Sequence, residues 1–337
     1  MTLAKVDRFV LPADDPGIAS YLFERLLAPH NLRERLRRSA LVSVPVLAPH
    51  LPLQSLNGQE PALEMVTAIL GELLSGTLLE GRSARWLLVE DYAGNGRERL
   101  VLFLFATGET SPAAVVKLRR SGVAGNPLHC EAEALRFLAE RLPADLRSSV
   151  PGVIVWREIS GIEALMMSAL PGVSAYVEMQ GLLAPGRAVR RHFAAAAEWL
   201  ARFHAATSAS HGDFWARNLL VGPDGRAAVV DWEHFREDAP PHEDLFHFPL
   251  TYGLNYPWER WRRLPPDEAF RCTFLEDNRV SRAVASYLSR YAAVAGVDPD
   301  DLRRLFDVYL ETRPESGLPW AEFRSLLGRA GRSVFSG

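Results

Sequence analysis

Lysine is almost missing from this chain of 337 residues: of its 38 basic side chains only Lys5 and Lys117 are lysine, and the rest are arginine. A phosphate-binding loop of the Gly-Lys-Ser/Thr type needs an ammonium directly after a glycine. Lys5 follows Ala4 and Lys117 follows Val116, so that loop is excluded. Cysteine is equally scarce. Cys130 and Cys272 can build neither a disulfide framework nor a paired metal motif, which suits a reducing compartment. No run of about 18 uninterrupted apolar residues occurs, so a membrane-spanning helix is not expected, and the start MTLAKVDRFVLPADD lacks the apolar core of a signal peptide. An excess of one charge is missing too: 38 basic residues against 41 acidic leave a net charge of −3. That argues against a nucleic-acid or anionic-membrane binder held by bulk electrostatics. The expectation is a cytoplasmic protein without nucleic-acid partner or membrane insertion.

Two local patterns fail on geometry. HEDLFH resembles a zinc-protease helix, but His242 and His247 are five residues apart and fall on different faces at about 100° per residue. GNGRER supplies Gly94 and Gly96 but no third glycine, and a strand follows it where a dinucleotide fold needs a helix.

The chain is 48% hydrophobic, enough for a full core, and its length suggests two domains. Residues 1–80 read as an extension with helical stretches: SYLFERLLAPHNLRERLRR, with apolar residues at 22, 23, 26 and 27, and PALEMVTAILGELLSG, opened by Pro61 and closed near Gly76. Between them LVSVPVLAPHLPL is apolar and broken by proline. From 84 to 118 the pattern turns to strands, ARWLLVEDY, RERLVLFLF and PAAVVKL, joined by the turns AGNGR and ATGETSP. NPLHCEAEALRFLAERLP is a helix ending at Pro143, and two more strands follow in VPGVIVW and GIEALMMSALPG. After residue 172 helices dominate, beginning with VRRHFAAAAEWLARFHAA. Two short strands around a Pro-Asp-Gly turn interrupt them in HGDFWARNLLVGPDGRAAVVDWEHF.

That last segment carries the chemistry. It supplies Asp213, Asn218 five residues on, and Asp231 thirteen further, each beside a short apolar strand. Phosphoryl transfer needs such groups: a carboxylate to deprotonate an acceptor hydroxyl, and an amide oxygen and a second carboxylate for Mg²⁺. It also needs a cation on the α and β phosphates. Lys117, at the end of the third strand, is placed for that role, with Glu131 of the next helix as its ion-pair partner. The competing readings are a surface charge for Lys117 and a solvated helix face for Glu131 or its neighbour Glu133. Phe214 and Trp215 read as core or groove wall, and His211 as a structural residue of the loop.

Over about residues 84–250 the chain resembles the aminoglycoside phosphotransferase and choline kinase group. HGDFWARN is similar to that family's His-Gly-Asp-x-x-x-x-Asn loop, VVDWE to its metal-binding segment, HCEAEALRFL to its Glu-bearing helix and LMMSALPG to its hinge. The resemblance implies an α+β, protein-kinase-like bilobal fold. A helical extension (1–80) would precede a small antiparallel-sheet lobe (81–172) and a larger, mainly helical lobe (173–337). It implies ATP or GTP with Mg²⁺ as cofactors, Asp213 as catalytic base, Asn218 and Asp231 on Mg²⁺, and Lys117 with Glu131 on the phosphates. Backbone groups near Ser168 and Leu170 would meet the base, and the loop holding Gly94 and Gly96 would cover the phosphates. Asp244 would anchor the catalytic loop.

The implied activity is phosphorylation of a hydroxyl on a small molecule: a sugar, an aminoglycoside or an amino alcohol. Six aromatic residues, Phe246, Phe248, Tyr252, Tyr256, Trp258 and Trp261, could wall an acceptor site or pack between helices. Glu237, Asp238, Glu243 and Asp244 could hold a polycation, but Arg260, Arg262 and Arg263 make the local field mixed, which favours a polyhydroxylated acceptor. The alternative from another class is a catalytically inactive, kinase-like nucleotide-binding regulator. A protein kinase fits less well, since neither Asp-Phe-Gly nor Ala-Pro-Glu follows the loop.

Overall fold

The computed structural model describes residues 3–6, 9–12, 15–27, 54–55, 61–75, 77, 85–93, 97–122, 126–181, 186–258, 263–313, 317–330 and 333–335. The chain divides into two compact units, one within residues 1–27, 37–139 and 151–170, the other within 28–36, 140–150 and 171–337. Together they make a mixed α+β protein with an antiparallel sheet and many helices, as a kinase-like fold requires.

In the first unit one antiparallel sheet collects β1 (Leu3–Val6), β2 (Phe9–Pro12), β3 (Gln54–Ser55), β4 (Arg85–Ala93), β5 (Arg97–Phe105), β6 (Ala114–Arg120), β7 (Val153–Ile159) and β8 (Ile162–Ser168). Their order across the sheet is β3-β1-β2-β4-β5-β6-β8-β7. Because successive side chains alternate sides, each strand feeds two cores. Leu88, Leu102, Val116 and Met166 point to the face covered by α2 (Pro61–Leu74), which contributes Val66, Ile69 and Leu73 at helical spacing. Phe9, Leu11, Leu87, Val89 and Phe105 point the other way, against Ile18 of α1 (Pro16–Tyr21) and Leu22 of the π-helical turn Leu22–Leu26. Asp15 caps α1 by accepting from the Ile18 N–H at 3.0 Å and ties it to β4 through Arg85 at 2.6 Å. Helix α3 (Pro127–Arg141) follows β6 and buries Leu128, Leu135 and Leu138.

One expectation is corrected here. The helical extension supplies strands as well: β1 and β2 form a hairpin whose Phe9 and Val10 pair with Val89 and Leu88, and β3 pairs with β1. Segments of four and two residues are too short for alternation to register, and only pairing with β4 makes them strands. The Pro-broken stretch LVSVPVLAPHLPL lies outside the described residues.

The second unit is helical around a three-stranded sheet of β9 (Val173–Ser174), β10 (Leu219–Val221) and β11 (Ala227–Val229), in the order β11-β10-β9. Its helices are α4 (Ala144–Arg147), α5 (Ala175–Met179), α6 (Gly186–Ala206), α7 (His242–Asn255), α8 (Pro266–Phe274), α9 (Arg279–Ala295), α10 (Pro299–Glu311) and α11 (Trp320–Arg329). Alanine-rich α6 buries Val189, Phe193, Ala196, Leu200 and Phe203 along one stripe and packs lengthwise on α9. Asn278 and Ser281 form a capping box at the start of α9, and Gly296 ends it in the left-handed region. Phe193 meets Phe248 and Tyr252 of α7 and Tyr287 of α9, so one aromatic cluster locks three helices.

Leu102 is 1% exposed at the centre of the sheet core. Leu102→Ala is expected to lower stability by about 2–5 kcal/mol, read as a shift of the urea midpoint; an unshifted midpoint would place this residue outside the cooperative core.

Candidate functional site

Within the first unit, Lys117 pairs with Val101 on β5 and Leu165 on β8, and its neighbours Val116 and Leu118 are buried in the sheet core. Alternation therefore puts Lys117 on the opposite face. Its ammonium lies 2.8 and 2.7 Å from the two carboxylate oxygens of Glu131 on α3, whose side chain is fully buried. Glu133 is exposed and lies 3.3 Å from His129, so the geometry selects Glu131 between the two candidates. A buried carboxylate is retained only when a cation meets it. The pair therefore holds an ammonium in one place at the sheet surface.

The Ser168 N–H is engaged by the Gly152 carbonyl at 2.8 Å, and the Ala169 N–H by the Ala113 carbonyl at 3.3 Å. Among the described residues no backbone hydrogen bond engages Leu170. Gly94 and Gly96 lie outside the described residues.

In the second unit the loop 210–218 joins α6 to β10 and is fixed from below. Asp244, on α7 and 1% exposed, accepts the N–H of His211 at 2.6 Å and that of Gly212 at 3.1 Å. Burial alone would raise its carboxyl, but His204 at 3.7 Å and the backbone N–H of His211 hold it below the usual carboxylate range. Burial keeps the His211 ring neutral, its pKa lowered. Its tautomer follows from its neighbours: Nε2–H donates to the Val230 carbonyl at 3.1 Å, while Nδ1 accepts the Asp213 N–H at 3.3 Å. Gly212 has φ +80, and a Cβ there would overlap the His234 carbonyl oxygen, so only glycine fits between His211 and Asp213. Phe214 is fully buried and stacks on Trp199 at 5.6 Å, tying the loop to α6.

The Asn218 Nδ2 group donates to both the Asp213 carbonyl at 2.9 Å and its Oδ2 at 3.1 Å. Those two acceptors set the amide orientation, with nitrogen towards Asp213 and Oδ1 away from it. Across the β10–β11 ladder the Val230 N–H donates to the Asn218 carbonyl at 3.0 Å, which brings Asp231 beside Asn218. Asp231 sits at φ +70, a backbone state that costs a non-glycine residue about 1–3 kcal/mol. An amide oxygen turned away from Asp213 and the carboxylate of Asp231, one residue beyond that backbone bond, are hard-oxygen donors of the kind Mg²⁺ takes. Among the described residues there is no cluster of three or more His, Cys, Asp or Glu side chains able to hold a metal ion.

The model of the phosphotransferase enzyme family, APH, matches residues 93–210. The likeness to the aminoglycoside phosphotransferase and choline kinase group is thereby shown over that stretch. This family match contains Lys117, Glu131, Ser168 and Leu170, and it ends one residue before His211, so the loop with Asp213 and Asn218 and the segment with Asp231 lie beyond it. No curated protein matches the chain.

Several site features were not anticipated from the sequence. His247 Nε2 lies 3.6 Å from Asp213 Oδ1; the readable signal was that Asp244 and His247 stand three apart on α7 and share a face. Glu178 on α5 accepts from His192 Nε2 at 2.6 Å and from Arg191 at 2.5 Å, and the His192 Nδ1 meets the Tyr252 hydroxyl at 3.0 Å. Burial outweighs Glu178 and lowers the His192 pKa. Of the aromatic candidates for an acceptor wall, Phe246, Phe248 and Tyr252 are fully buried between helices, Trp258 donates to the Gly253 carbonyl at 2.8 Å, and Trp261 lies outside the described residues. Glu243 is held by Arg236 and Arg313, and Asp244 serves the loop, so neither is left to bind a polycation.

Two outcomes are expected. Asp244→Ala strands the buried His211 N–H at about 1–3 kcal/mol and leaves the Gly212 N–H with the Ser210 hydroxyl alone, so it should lower the denaturation midpoint. Because the buried His192 and His211 have folded pKa values below 6.5, their contribution is complete above that pH. Below it the unfolded chain takes up protons that the folded one refuses, and stability falls; Asp244 adds a further loss as pH drops from 3.8 through its lowered pKa. A urea midpoint that rises between pH 7 and pH 5 would contradict this.

Proposed function

We propose that the chain is an ATP-dependent phosphotransferase that transfers the γ-phosphoryl group to a hydroxyl of a small molecule. The observation that carries this reading is the Asp213–Asn218 pair. A carboxylate is held by an amide on a loop whose own N–H groups are tied to a buried Asp244, with Asp231 beside it. The family match, which implies a phosphotransferase, supports the reading independently, because it rests on different residues.

In this reading residues 81–172 handle the nucleotide and residues 173–337 carry the base and the acceptor. Asp213 accepts the proton of the acceptor hydroxyl. The freed oxygen attacks the γ-phosphorus, the bond to the β–γ bridging oxygen breaks, and the electron pair leaves on ADP. Lys117, positioned by Glu131, neutralises charge on the α and β phosphates, and the Leu170 backbone meets the nucleotide base. Asn218 Oδ1 and Asp231 would hold Mg²⁺, which would supply Lewis-acid stabilisation of the phosphoryl oxygens. His247 keeps the Asp213 carboxylate oriented towards the acceptor. The free thiols Cys130 and Cys272 support a cytoplasmic setting; burial and the Glu276 carboxylate push the Cys272 thiol up to about 12, so it is inert.

Asp213→Asn is expected to reduce kcat by about 10²–10⁴-fold, with calorimetric binding of ATP and Mg²⁺ retained. Lys117→Ala should raise the KM for ATP. A wild-type protein that neither binds ATP with Mg²⁺ nor releases ADP with any hydroxyl acceptor would refute the reading.

A further inference from the structure

Arg217 lies inside the loop between Asp213 and Asn218, and its guanidinium sits 5.0 Å from the ring centroids of both Tyr176 and Trp215. Tyr176 is on α5, whose start is bound to the same loop: the Tyr176 N–H donates to the Ala216 carbonyl at 2.8 Å, and the Ser174 hydroxyl meets the Ala216 and Arg217 carbonyls at 3.2 and 3.0 Å. A second guanidinium, that of Arg263, donates to the Tyr176 hydroxyl at 2.9 Å. Both arginines are exposed, and among the described residues no carboxylate pairs with either. Other basic residues around the loop differ in this respect. Arg236 and Arg313 are taken by Glu243, and Arg191 by Glu178.

Aromatic faces hold a guanidinium flat and leave its N–H edge unspent. That edge is a planar fork matched to an oxyanion. We infer that the hydroxyl acceptor carries an oxyanion, a phosphate or a carboxylate, gripped by Arg217 and Arg263 while its hydroxyl meets Asp213. This rests on the phosphotransferase reading above and narrows its acceptor class. A polycationic aminoglycoside or choline would meet two guanidinium charges that no carboxylate pairs with among the described residues, and Glu243 and Asp244, two of the acids that could offset them, are engaged elsewhere. The transfer keeps its balance: the proton goes to Asp213, the acceptor oxygen bonds to the γ-phosphorus, and ADP leaves with the broken bond's pair.

The test uses the full chain in two arms. In the first, calorimetry measures binding of inorganic phosphate and of glucose 6-phosphate without nucleotide, and of ATP with Mg²⁺ separately. Binding of the oxyanion probes is expected, weakened about tenfold in Arg217→Gln and in Arg263→Gln, with ATP affinity retained in both variants. In the second, ADP release is compared for glucose, glucose 6-phosphate, glucuronate, kanamycin and choline. The anionic sugars should be favoured at least tenfold in kcat/KM over glucose, with the two variants raising KM for them. Oxyanion binding that is absent, or unchanged in both variants, would overturn the inference, as would preferred turnover of kanamycin, choline or neutral glucose. These results leave the phosphotransferase reading standing, whereas failure to bind ATP with Mg²⁺ removes that reading and the acceptor assignment with it.

Discussion

A carboxylate taken out of water is held ionised only if donors meet it, and in this protein the donors are backbone N–H groups of the loop proposed to carry the chemistry. Asp244 accepts from His211 and Gly212, and His204 faces it at 3.7 Å. The desolvation that would otherwise neutralise a buried acid is offset by those contacts. Each of them also fixes a backbone atom of the loop. Once the two amides are fixed, Gly212 must enter the left-handed region under the His234 carbonyl, the His211 tautomer is settled, and Asp213 follows at a defined position. The rest of the loop inherits that order: Asn218 bonds back to Asp213, and the ladder from Asn218 to Val230 delivers Asp231. A single buried acid thus organises groups spread over about twenty residues of sequence, from His211 to Asp231.

The aromatic residues divide into two uses that composition alone does not separate. Trp199, Phe203, Phe214 and Trp232 form a closely packed group under the loop, and Phe193, Phe248, Tyr252 and Tyr287 lock the helices around it. These rings supply rigidity, since a well-packed interior transmits displacement instead of absorbing it. Tyr176 and Trp215 are different. Their faces are turned to Arg217, an exposed charge that no carboxylate pairs with among the described residues. The ion pair at Lys117 is the opposite case, in which a buried carboxylate fixes the cation before any ligand arrives.

Much of this was readable from residues alone where the signal was local. The strand pattern from 85 to 120, the helix opened by Pro127, the alanine-rich helix ending at Ala206 and the two short strands around Pro223-Asp224-Gly225 all agree with the described elements. In each case apolar periodicity or turn chemistry is written within ten to twenty residues. The first twelve residues defeated the same method. Their strands are four residues long, and it is hydrogen bonding to β4, more than seventy residues away, that makes them strands.

For the site, residue type and spacing were enough to nominate Asp213, Asn218, Asp231 and Lys117, because the scarcity of lysine and the five-residue step in the loop are properties of the chain itself. Choosing Glu131 over Glu133 needed the fold: the two sit two residues apart on one helix, and only the sheet in front of α3 decides which of them meets the ammonium. The same holds for Asp244, whose value lies in amides thirty-two and thirty-three residues away, and for Arg217, which is unremarkable by composition. Chemistry-bearing residue types were determined by the sequence. Burial, tautomer and the presence or absence of a counter-ion were decided by tertiary structure, because each depends on what a distant segment places within a few ångströms.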